Sequence, residues 1–383
     1  MYDTTQMRTW AEVSLDNIEH NFRELSEKVS GSSTVMGIVK ANGYGHGAVQ
    51  IASLLQRSGC RYLAVASVDE ALQLRNGGII LPILILGWTA PEETEILLDY
   101  DITQAISDLD TALKMSEIAV RSGKKLKIHL KADSGMGRLG FPCHDGENPI
   151  EVMARIAALP GFDTEGIFTH FAVSEMVGDP YTEMQFQSFT ALVNRLEQQT
   201  GIHFRYRHCA NSGAVINDRR MDLDMVRPGL ALYGLYPGKN DGGFRLLPAL
   251  SLKTRIYQIK DFAAGYSVSY GRTYRTPEPR RIAVIPVGYA DGLHRVLSNK
   301  LEVLVRGKRV KQCGNICMDM CMLDVTDVAE AQMGDVVTLI GSDGSETISA
   351  DELGDKAGTI SYEIFCSLSP RVQRVYTYQG RRL

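Results

Sequence analysis

A lysine that follows a short apolar run is the strongest candidate for chemistry in this sequence. The segment Thr34–Val39 is short and partly β-branched, which predicts a buried strand rather than a helix. Lys40 comes directly after it, and glycines follow at positions 43, 45 and 47. Because glycine permits sharp turns and close approach to a ligand, we expect strand, lysine, loose turn and then a helix from about His46 to Arg57. A solvated lysine at a strand end is the alternative.

Further polar residues occur where predicted strands end. Lys131, His170, the pair Asn211–Ser212 and Arg227 each lie at or just past the last residue of a strand-like segment. In a closed barrel of parallel strands, these carboxyl ends meet at one rim, and active sites form there. The sequence therefore predicts that these side chains share a site with Lys40.

The elements that must position these residues alternate between strand and helix. Eight strand-like segments are separated by helical stretches, which predicts an α/β protein with a (β/α)₈ TIM-type barrel over residues 1–244. The segments are the run from Val35, then Tyr62–Ala66, Pro82–Leu86, Ile102–Ile106, Leu126–Leu130, Glu165–Phe168, Phe204–His208 and Asp224–Val226.

After about Phe244 the pattern changes to strand-like runs joined by turns. The runs are Leu250–Lys260, Arg281–Val287, Leu301–Val305, Val310–Cys313, Met320–Val325 and Val336–Ile340, with one helix at about Ala350–Lys356. Residues 245–383 are therefore expected to form a second, mostly β domain.

Composition excludes several classes of partner. The chain has 383 residues, 44% hydrophobic residues and a formal net charge of −4 with both signs interspersed, so neither a nucleic-acid footprint nor a membrane-binding basic segment is expected. Residues 1–13 lack the apolar core of a signal peptide, and the cytoplasm is the expected location. The spacing of Cys313, Cys317 and Cys321 matches no common zinc pattern, so no metal site is expected.

A lysine amine at a barrel rim, poorly solvated and near other cations, has a lowered pKa and can form a Schiff base. Pyridoxal phosphate is the cofactor that most often needs such an amine. Its phosphate needs N–H and hydroxyl donors, which the segment around Gly229 and the Ser212 hydroxyl could supply. A simple turn at Gly229 is the alternative.

Motifs along nearly the whole chain resemble the alanine racemase family, whose members use pyridoxal 5'-phosphate. The matching segments are Val39–Gly47, Lys131–Gly140, Thr169–Phe171, Ala210–Ser212, Val226–Gly229, Val268–Gly271, Gly288–Gly292, Ile316–Asp319 and Ile360–Glu363. Two positions depart from the usual family pattern: Gly43, where alanine is common, and Ser134, where threonine is common.

The resemblance implies a homodimer with shared active sites that interconverts L- and D-alanine by two-base proton transfer through a pyridoxal-phosphate aldimine. Lys40 would hold the cofactor and serve one face of the α-carbon, and Tyr270 of the second subunit would serve the other. Arg227 would contact the pyridine nitrogen. The remaining residues implied to bind the cofactor are Tyr44, His170, Asn211, Ser212, Gly229, Leu230 and Tyr362. D-alanine for cell-wall peptidoglycan is the implied product.

The resemblance also implies the groups that bind the substrate carboxylate. These are Arg138 and the backbone N–H of Met318 from the partner subunit. Lys131 matches a carbamylated lysine (N6-carboxylysine) that orients Arg138, with an ordinary ammonium as the alternative. A tyrosine is a poor base at its ordinary pKa, so a cation or a polar group such as His170 is expected close to Tyr270.

Three other functions stay open. A barrel-class decarboxylase acting on ornithine or diaminopimelate shares the two-domain plan, but it carries a different cysteine motif in the β domain. A non-catalytic pyridoxal-phosphate-binding barrel would lack the second domain. A serine racemase of the same mechanism would need space for a hydroxymethyl group, and Tyr362 favours alanine because a smaller residue there would open that space.

Overall fold

A computed structural model of the chain describes residues 7–239 and 241–383. The described residues form two compact units. The barrel unit consists of residues 17–43 and 48–248, and the β unit consists of residues 7–16, 44–47 and 249–383. The short segment 44–47, which follows Lys40, therefore belongs to the β unit although the chain on both sides of it belongs to the barrel.

The first ten strands are numbered along the chain. They are β1 (Thr9–Ser14), β2 (Thr34–Ile38), β3 (Tyr62–Val65), β4 (Ile83–Ile85), β5 (Ile102–Ile106), β6 (Leu126–Asp133), β7 (Phe141–Pro142), β8 (Phe162–Phe168), β9 (Tyr206–His208) and β10 (Met225–Val226). Eight of them form a parallel sheet in the order β10-β2-β3-β4-β5-β6-β8-β9, with the short β7 beside β6.

Hydrogen bonds between β9 and β10 close this sheet into a ring. The Asp224 N–H donates to the Arg207 carbonyl at 3.1 Å, and the Arg227 N–H donates to the Ala210 carbonyl at 2.9 Å. The predicted eight-stranded α/β barrel is confirmed. Most of its strand residues are buried, as expected where helices cover the outside and side chains fill the inside.

The helices associated with the barrel alternate with its strands. They span Leu15–Lys28, Ala48–Arg57, Val68–Asn76, Thr94–Asp99, Leu109–Arg121, Ile150–Ala157, Pro180–Thr200 and Ser212–Asn217. Short 3₁₀ turns lie at Pro91–Glu93, Arg219–Met221 and Leu230–Tyr233. In Ala48–Arg57 the buried residues recur at helical spacing, so one face packs against the barrel.

The β unit is built on an antiparallel sheet. Its later strands are β11 (Leu250–Arg255), β12 (Gln258–Phe262), β13 (Ser267–Val268), β14 (Tyr274–Arg275), β15 (Arg280–Ile285), β16 (Glu302–Val305), β17 (Lys308–Cys313), β18 (Cys321–Asp324), β19 (Val336–Asp343), β20 (Glu346–Ile348), β21 (Gln373–Tyr378) and β22 (Arg381–Arg382). The helices Ala350–Ala357 and Ser361–Cys366 and the 3₁₀ turns Tyr270–Arg272, Tyr289–Asp291 and Arg295–Leu297 complete it.

The sequence-based division of the chain differs from the structure at its beginning. Strand β1 lies in the sheet of the β unit, antiparallel to β11 and parallel to β21, rather than in the barrel. Its side chains are mostly buried there. The pairing partners lie more than 200 residues away in sequence, so no local pattern could place this strand.

One predicted strand is divided in two. The run Leu250–Lys260 breaks at Ile256 and Tyr257, where the chain changes its hydrogen-bonding partner. The Ile256 N–H donates to the Asp335 carbonyl next to β19, whereas the Tyr257 N–H donates to the Val284 carbonyl of β15. Within the described ranges, 7–239 and 241–383, no helix is long and apolar enough to cross a membrane.

Candidate active site

The turn that carries Lys40 has an unusual backbone. After β2 ends at Ile38, residues Ala41, Asn42 and Gly43 adopt left-handed conformations with φ of 52°, 53° and 62°. Only the last of these is a glycine, so the turn depends less on glycine than the sequence indicated. The following helix begins at Ala48 rather than near His46, and the Asn42 Oδ1 accepts the Ala48 N–H at 3.0 Å.

A carboxylate from the helix that follows β3 holds this turn in place. Glu70 Oε1 accepts the Ala41 N–H at 2.6 Å, and its Oε2 accepts the Ala66 N–H at 2.7 Å. Both N–H groups lie just past strand ends, of β2 and β3. Two charge-assisted bonds to one side chain therefore tie the backbone next to Lys40 to the barrel rim and offset the cost of left-handed non-glycine residues.

Arg227 is buried inside the barrel just past β10. Its Nη2 donates to the carbonyls of Thr169 and Cys209 at 2.7 and 3.0 Å, and its Nη1 lies 2.8 Å from His208 Nδ1. Burial lowers the pKa of Arg227 to about 10, so the guanidinium keeps its charge at neutral pH. A cation with a fixed orientation is thereby held among the ends of β8, β9 and β10.

His170 lies where the cations of the barrel rim converge. Burial lowers its pKa well below the ordinary value, and the positive charges of Arg227, Lys131, Arg138 and Lys40 lower it further. Its Nδ1 is 3.4 Å from Arg227 Nη2. The structure thus brings these five predicted residues together and keeps the imidazole neutral.

Lys131 is almost fully buried near the end of β6. Its Nζ donates to the Ala132 carbonyl at 3.0 Å and lies 4.9 Å from the centre of the Phe168 ring. Burial, reinforced by the charge of Arg227, lowers its pKa to about 7. A substantial fraction of this amine is therefore uncharged at neutral pH, which is the form that reacts with carbon dioxide.

Asp133 organises the loop that carries Arg138. Its Oδ1 accepts the N–H groups of Gly135, Met136 and Gly137 at 3.0, 2.8 and 3.2 Å, and its Oδ2 accepts the Arg138 N–H at 3.2 Å. Burial acts to raise the pKa of Asp133, but these N–H groups outweigh it and the pKa is lowered. The loop is wrapped around one ionised carboxylate, with the Arg138 residue exposed.

Three of the residues proposed for phosphate contact follow the adjacent barrel strands β9 and β10. Ser212 is buried at the start of a helix after β9, and its Oγ accepts the Ala231 N–H at 3.2 Å. Gly229 and Leu230 follow β10, which neighbours β2 and so the strand before Lys40. Asn211 caps its helix instead: its Oδ1 accepts the Ala214 N–H at 3.2 Å and the Ser174 hydroxyl at 2.5 Å.

Tyr270 lies in the β unit and is 72% exposed. A tight turn presents it: Ser269 and Gly271 on either side have φ of 66° and 68°, and the Tyr270 carbonyl accepts from Asn315 Nδ2 at 2.7 Å. The tyrosine lines an open groove of about 520 Å³ together with Phe262 and Tyr266. Such an exposed aromatic turn is available to a second chain.

Three more predicted residues belong to the β unit. Tyr44 and Tyr362 are aromatic neighbours, with ring centres 6.0 Å apart. Met318 is 53% exposed, and its carbonyl accepts the Ala290 N–H at 3.0 Å. A Cβ on Gly288 would lie 2.4 Å from that carbonyl, so only glycine allows the backbone to approach Met318 this closely.

Sequence reasoning missed the polar groups inside the barrel. His129, His208 and Glu165 form a connected set beneath Arg227. The available signal was alternation in β6: Lys127, His129, Lys131 and Asp133 occupy every second position, so these polar side chains share one face of the strand.

The donor set of the barrel unit suits pyridoxal phosphate. A lysine amine, a buried guanidinium that can only donate, and a serine hydroxyl with a glycine-containing backbone segment are the groups needed for an aldehyde, a ring nitrogen and a phosphate.

Comparison with known proteins agrees with this chemistry. Residues 13–237 match the alanine racemase N-terminal domain, and residues 249–376 match the alanine racemase C-terminal domain. The chain belongs to the alanine racemase family.

Relatives of this family match the chain over nearly its full length. "Alanine racemase 2" of Caldanaerobacter subterraneus subsp. tengcongensis is 46% identical over 374 residues, which cover 97% of this chain and 95% of the relative. The alanine racemase of Desulforamulus reducens is 45% identical over 369 residues, 96% of this chain and 98% of the relative.

Solved structures of the family share the fold. The alanine racemase of Clostridium difficile 630 has a TM-score of 0.92 at 37% identity and covers 99% of this chain and 98% of its own. The alanine racemase of Bacillus anthracis with bound L-Ala-P has a TM-score of 0.91 at 34% identity and covers 98% of this chain and 96% of its own. Both domains of the family are therefore present here.

Proposed function

We propose that this protein is a pyridoxal 5'-phosphate-dependent racemase that interconverts L- and D-alanine. The convergence of Lys40, Lys131, Arg138 and Arg227 on a neutral His170 at the barrel rim is the observation that carries the proposal. It supplies an amine for the cofactor and cations for a carboxylate, and full-length similarity to named alanine racemases supports the same reaction.

Two bases of different origin would perform the proton transfer. The cofactor, when bound, would supply an electron sink that makes the α-proton of the amino acid acidic. Lys40 would hold the cofactor until the substrate amine displaces it; its freed amine would then move a proton on one face of the α-carbon, and the Tyr270 phenol of the partner subunit would move a proton on the other. Racemisation requires both faces, and the high exposure of Tyr270 within its own chain fits a role in a second subunit's site.

The remaining residues would hold and orient the cofactor. Arg227 would donate an N–H to the ring nitrogen and, because arginine does not release its proton, would keep that nitrogen unprotonated. The donors for the phosphate are the hydroxyls of Tyr44, Ser212 and Tyr362 and the N–H groups of Gly229 and Leu230. Asn211 contributes by fixing the helix that begins at Ser212, and His170 contributes as a neutral neighbour of Arg227.

The substrate carboxylate would bind Arg138 and the backbone N–H of Met318 of the partner subunit. Lys131 would act as N6-carboxylysine: its neutral amine adds carbon dioxide, releases one proton and leaves a carboxylate that orients Arg138. The lowered pKa of Lys131 and the cations around it favour that product. We place the reaction in the cytoplasm, where it would supply D-alanine for peptidoglycan.

Purified holoenzyme offered L-alanine, L-serine and L-ornithine in turn tests the reaction. We expect loss of optical rotation with alanine, slower loss with serine, and no release of carbon dioxide from any substrate. Carbon dioxide from ornithine would indicate a decarboxylase, and equal rates on serine and alanine would contradict the substrate assignment. A Lys40→Ala protein that racemises alanine at full speed would overturn the proposed mechanism.

Mixing two inactive variants tests the shared site. A heterodimer of Lys40→Ala and Tyr270→Phe subunits has one site with both bases intact, so random exchange should restore about one quarter of the wild-type activity. Wild-type dimers taken through the same exchange procedure are the control. No recovery would show that each site is complete within one chain.

A further inference from the structure

A row of hydrogen bonds runs through the barrel interior from Arg227 to Glu165. Arg227 Nη1 lies 2.8 Å from His208 Nδ1, and His208 Nε2 lies 2.8 Å from His129 Nδ1. His129 Nε2 in turn lies 3.3 Å from Glu165 Oε1. Both imidazoles are fully buried.

The groups at the two ends of this row, Arg227 and Glu165, determine which nitrogen of each imidazole carries its proton. A guanidinium can only donate, so His208 Nδ1 accepts and the proton of His208 is on Nε2. That N–H donates to His129 Nδ1, which places the proton of His129 on Nε2 as well. The last N–H points at a carboxylate, which can only accept. All three bonds therefore have one direction, from Arg227 to Glu165.

The charges in the row agree with this assignment. Burial lowers the pKa of His129, and burial with the charge of Arg227 lowers that of His208 well below the ordinary value, so both rings are neutral. Burial acts to raise the pKa of Glu165, but the bonds from His129 and Tyr62 outweigh it and the group is ionised. Tyr62 OH lies 2.6 Å from Glu165 Oε1 and 2.9 Å from Thr103 Oγ1, and Thr103 Oγ1 lies 3.4 Å from the same carboxylate oxygen, so two hydroxyls also hold the carboxylate.

The other hydrogen-bond partners of Arg227 cannot replace His208 Nδ1 as an acceptor. Its remaining hydrogen bonds go to the carbonyls of Thr169 and Cys209, with His170 at 3.4 Å. If His208 took the opposite tautomer, its Nδ1–H would face the Arg227 N–H and repel it. The orientation of Arg227 thus depends on the tautomer of His208, which Glu165 sets through His129.

We propose that Glu165 is a positioning residue for the racemase site: through His129 and His208 it fixes the tautomer that holds the Arg227 guanidinium toward the cofactor. This inference rests on the proposed function for the role it assigns to Arg227. The carboxylate itself touches neither substrate nor cofactor. Its effect should therefore fall on kcat and on reaction specificity, and not on the KM for alanine, which depends on Arg138 and Met318.

Three variants distinguish a positioning role of Glu165 from a purely structural role. In Glu165→Leu the acceptor is lost, and we expect kcat to fall roughly 10-fold, the ordinary effect of losing one hydrogen bond in a charged network, with KM changed less than about twofold and more transamination per turnover. Glu165→Gln keeps an acceptor oxygen and should recover most of kcat. Ser116→Ala is the control: it removes a buried hydroxyl that accepts the Gly161 N–H at 3.1 Å outside this row, and it should alter thermal stability alone.

Nitrogen-15 NMR of histidine-labelled protein gives a readout that does not depend on turnover. Wild-type holoenzyme and Ser116→Ala should show His129 and His208 as neutral Nε2–H tautomers, whereas Glu165→Leu should show a mixture. An Nδ1–H tautomer or an imidazolium at either residue in the wild type overturns the inference, even if Glu165→Leu does not fold. Unchanged kcat and transamination in a folded Glu165→Leu protein overturns it as well. Absence of alanine racemisation by the wild type would instead refute the proposed function, while the tautomers would remain measurable.

Discussion

The Asp133→Asn substitution should separate the binding of alanine from the chemistry. The carboxylate accepts four backbone N–H groups, three at Oδ1 and that of Arg138 at Oδ2. Asparagine keeps one oxygen and replaces the other with an NH₂ group. At least one backbone N–H, that of Arg138 in the native rotamer, then faces a donor instead of an acceptor.

The expected size of the effect follows from that count. A hydrogen bond to a charged group contributes about 1.5–3 kcal/mol, and Asp133 is buried, so losing one and weakening three should lower the free energy of unfolding by about 2–3 kcal/mol. If about 1.4 kcal/mol of this loss also weakens the binding of alanine by Arg138, the KM for alanine rises roughly 10-fold. We expect kcat to change less, because Lys40 and Tyr270 are on other elements.

The pH dependence has a definite sign. Because the pKa of Asp133 is lowered on folding, its stabilising effect is present above the ordinary carboxyl pKa of about 3.9 and is lost as the pH falls through the lower folded value. The stability difference between wild type and Asp133→Asn should therefore be present at neutral pH, and it should shrink as the pH rises through about 7, because Lys131 then loses the positive charge that Asp133 attracts.

Urea unfolding and steady-state racemisation measure these effects. Asp218→Asn is the matched control, since Asp218 Oδ1 likewise accepts a backbone N–H, that of Arg220 at 3.0 Å, in a turn whose Arg220 side chain is exposed. The control should lose less stability and keep the KM of the wild type. A folded Asp133→Asn protein with an unchanged KM would refute the role assigned to the loop.

Three further outcomes are expected. Arg227→Glu should increase transamination relative to racemisation, because a carboxylate stabilises a protonated ring nitrogen and so a stronger electron sink; an unchanged ratio of pyruvate to racemised alanine would contradict this. With ¹³CO₂ held at constant pressure, a carbamate signal at Lys131 should grow from about pH 6 to 8 as the amine loses its proton near its pKa of about 7. Lys131→Gln should show no such signal, and a wild-type signal that falls with pH would argue against the lowered pKa. Tyr362→Ala should raise kcat/KM for serine relative to alanine by opening space for a hydroxymethyl group, whereas an unaltered ratio would remove Tyr362 as the determinant of substrate size.

Local sequence patterns were sufficient for much of the barrel. Apolar runs bounded by turns predicted all eight strands, and Ile102–Ile106 matches its observed bounds. Strands β3 and β4 are buried throughout, so their apolar character is continuous and easy to recognise. The convergence of Lys40, Lys131, His170 and Arg227 at one rim follows from parallel strands, because every carboxyl end then lies on the same side.

Patterns that depend on distant partners were not recognised. Strand β1 belongs to the sheet of the β unit, and β21 was not predicted. Strand β1 is specified by pairing with β11 and β21, and β21 pairs with β1 and β22. The polar groups beneath Arg227 were missed for a related reason: a histidine in a strand has no assigned partner until the barrel closes around it.

The sequence by itself determined the succession of strands and helices and the residue types that follow each barrel strand. Backbone propensity and the periodicity of apolar residues are local properties, so they are legible without a fold. Only the tertiary structure decided which of those residues are buried away from water, which of them are charged and which have a fixed orientation. Burial lowers the pKa of Lys131, and a carboxylate two strands from Arg227 around the barrel fixes that arginine. Both effects require side chains from several strands to enclose a common interior.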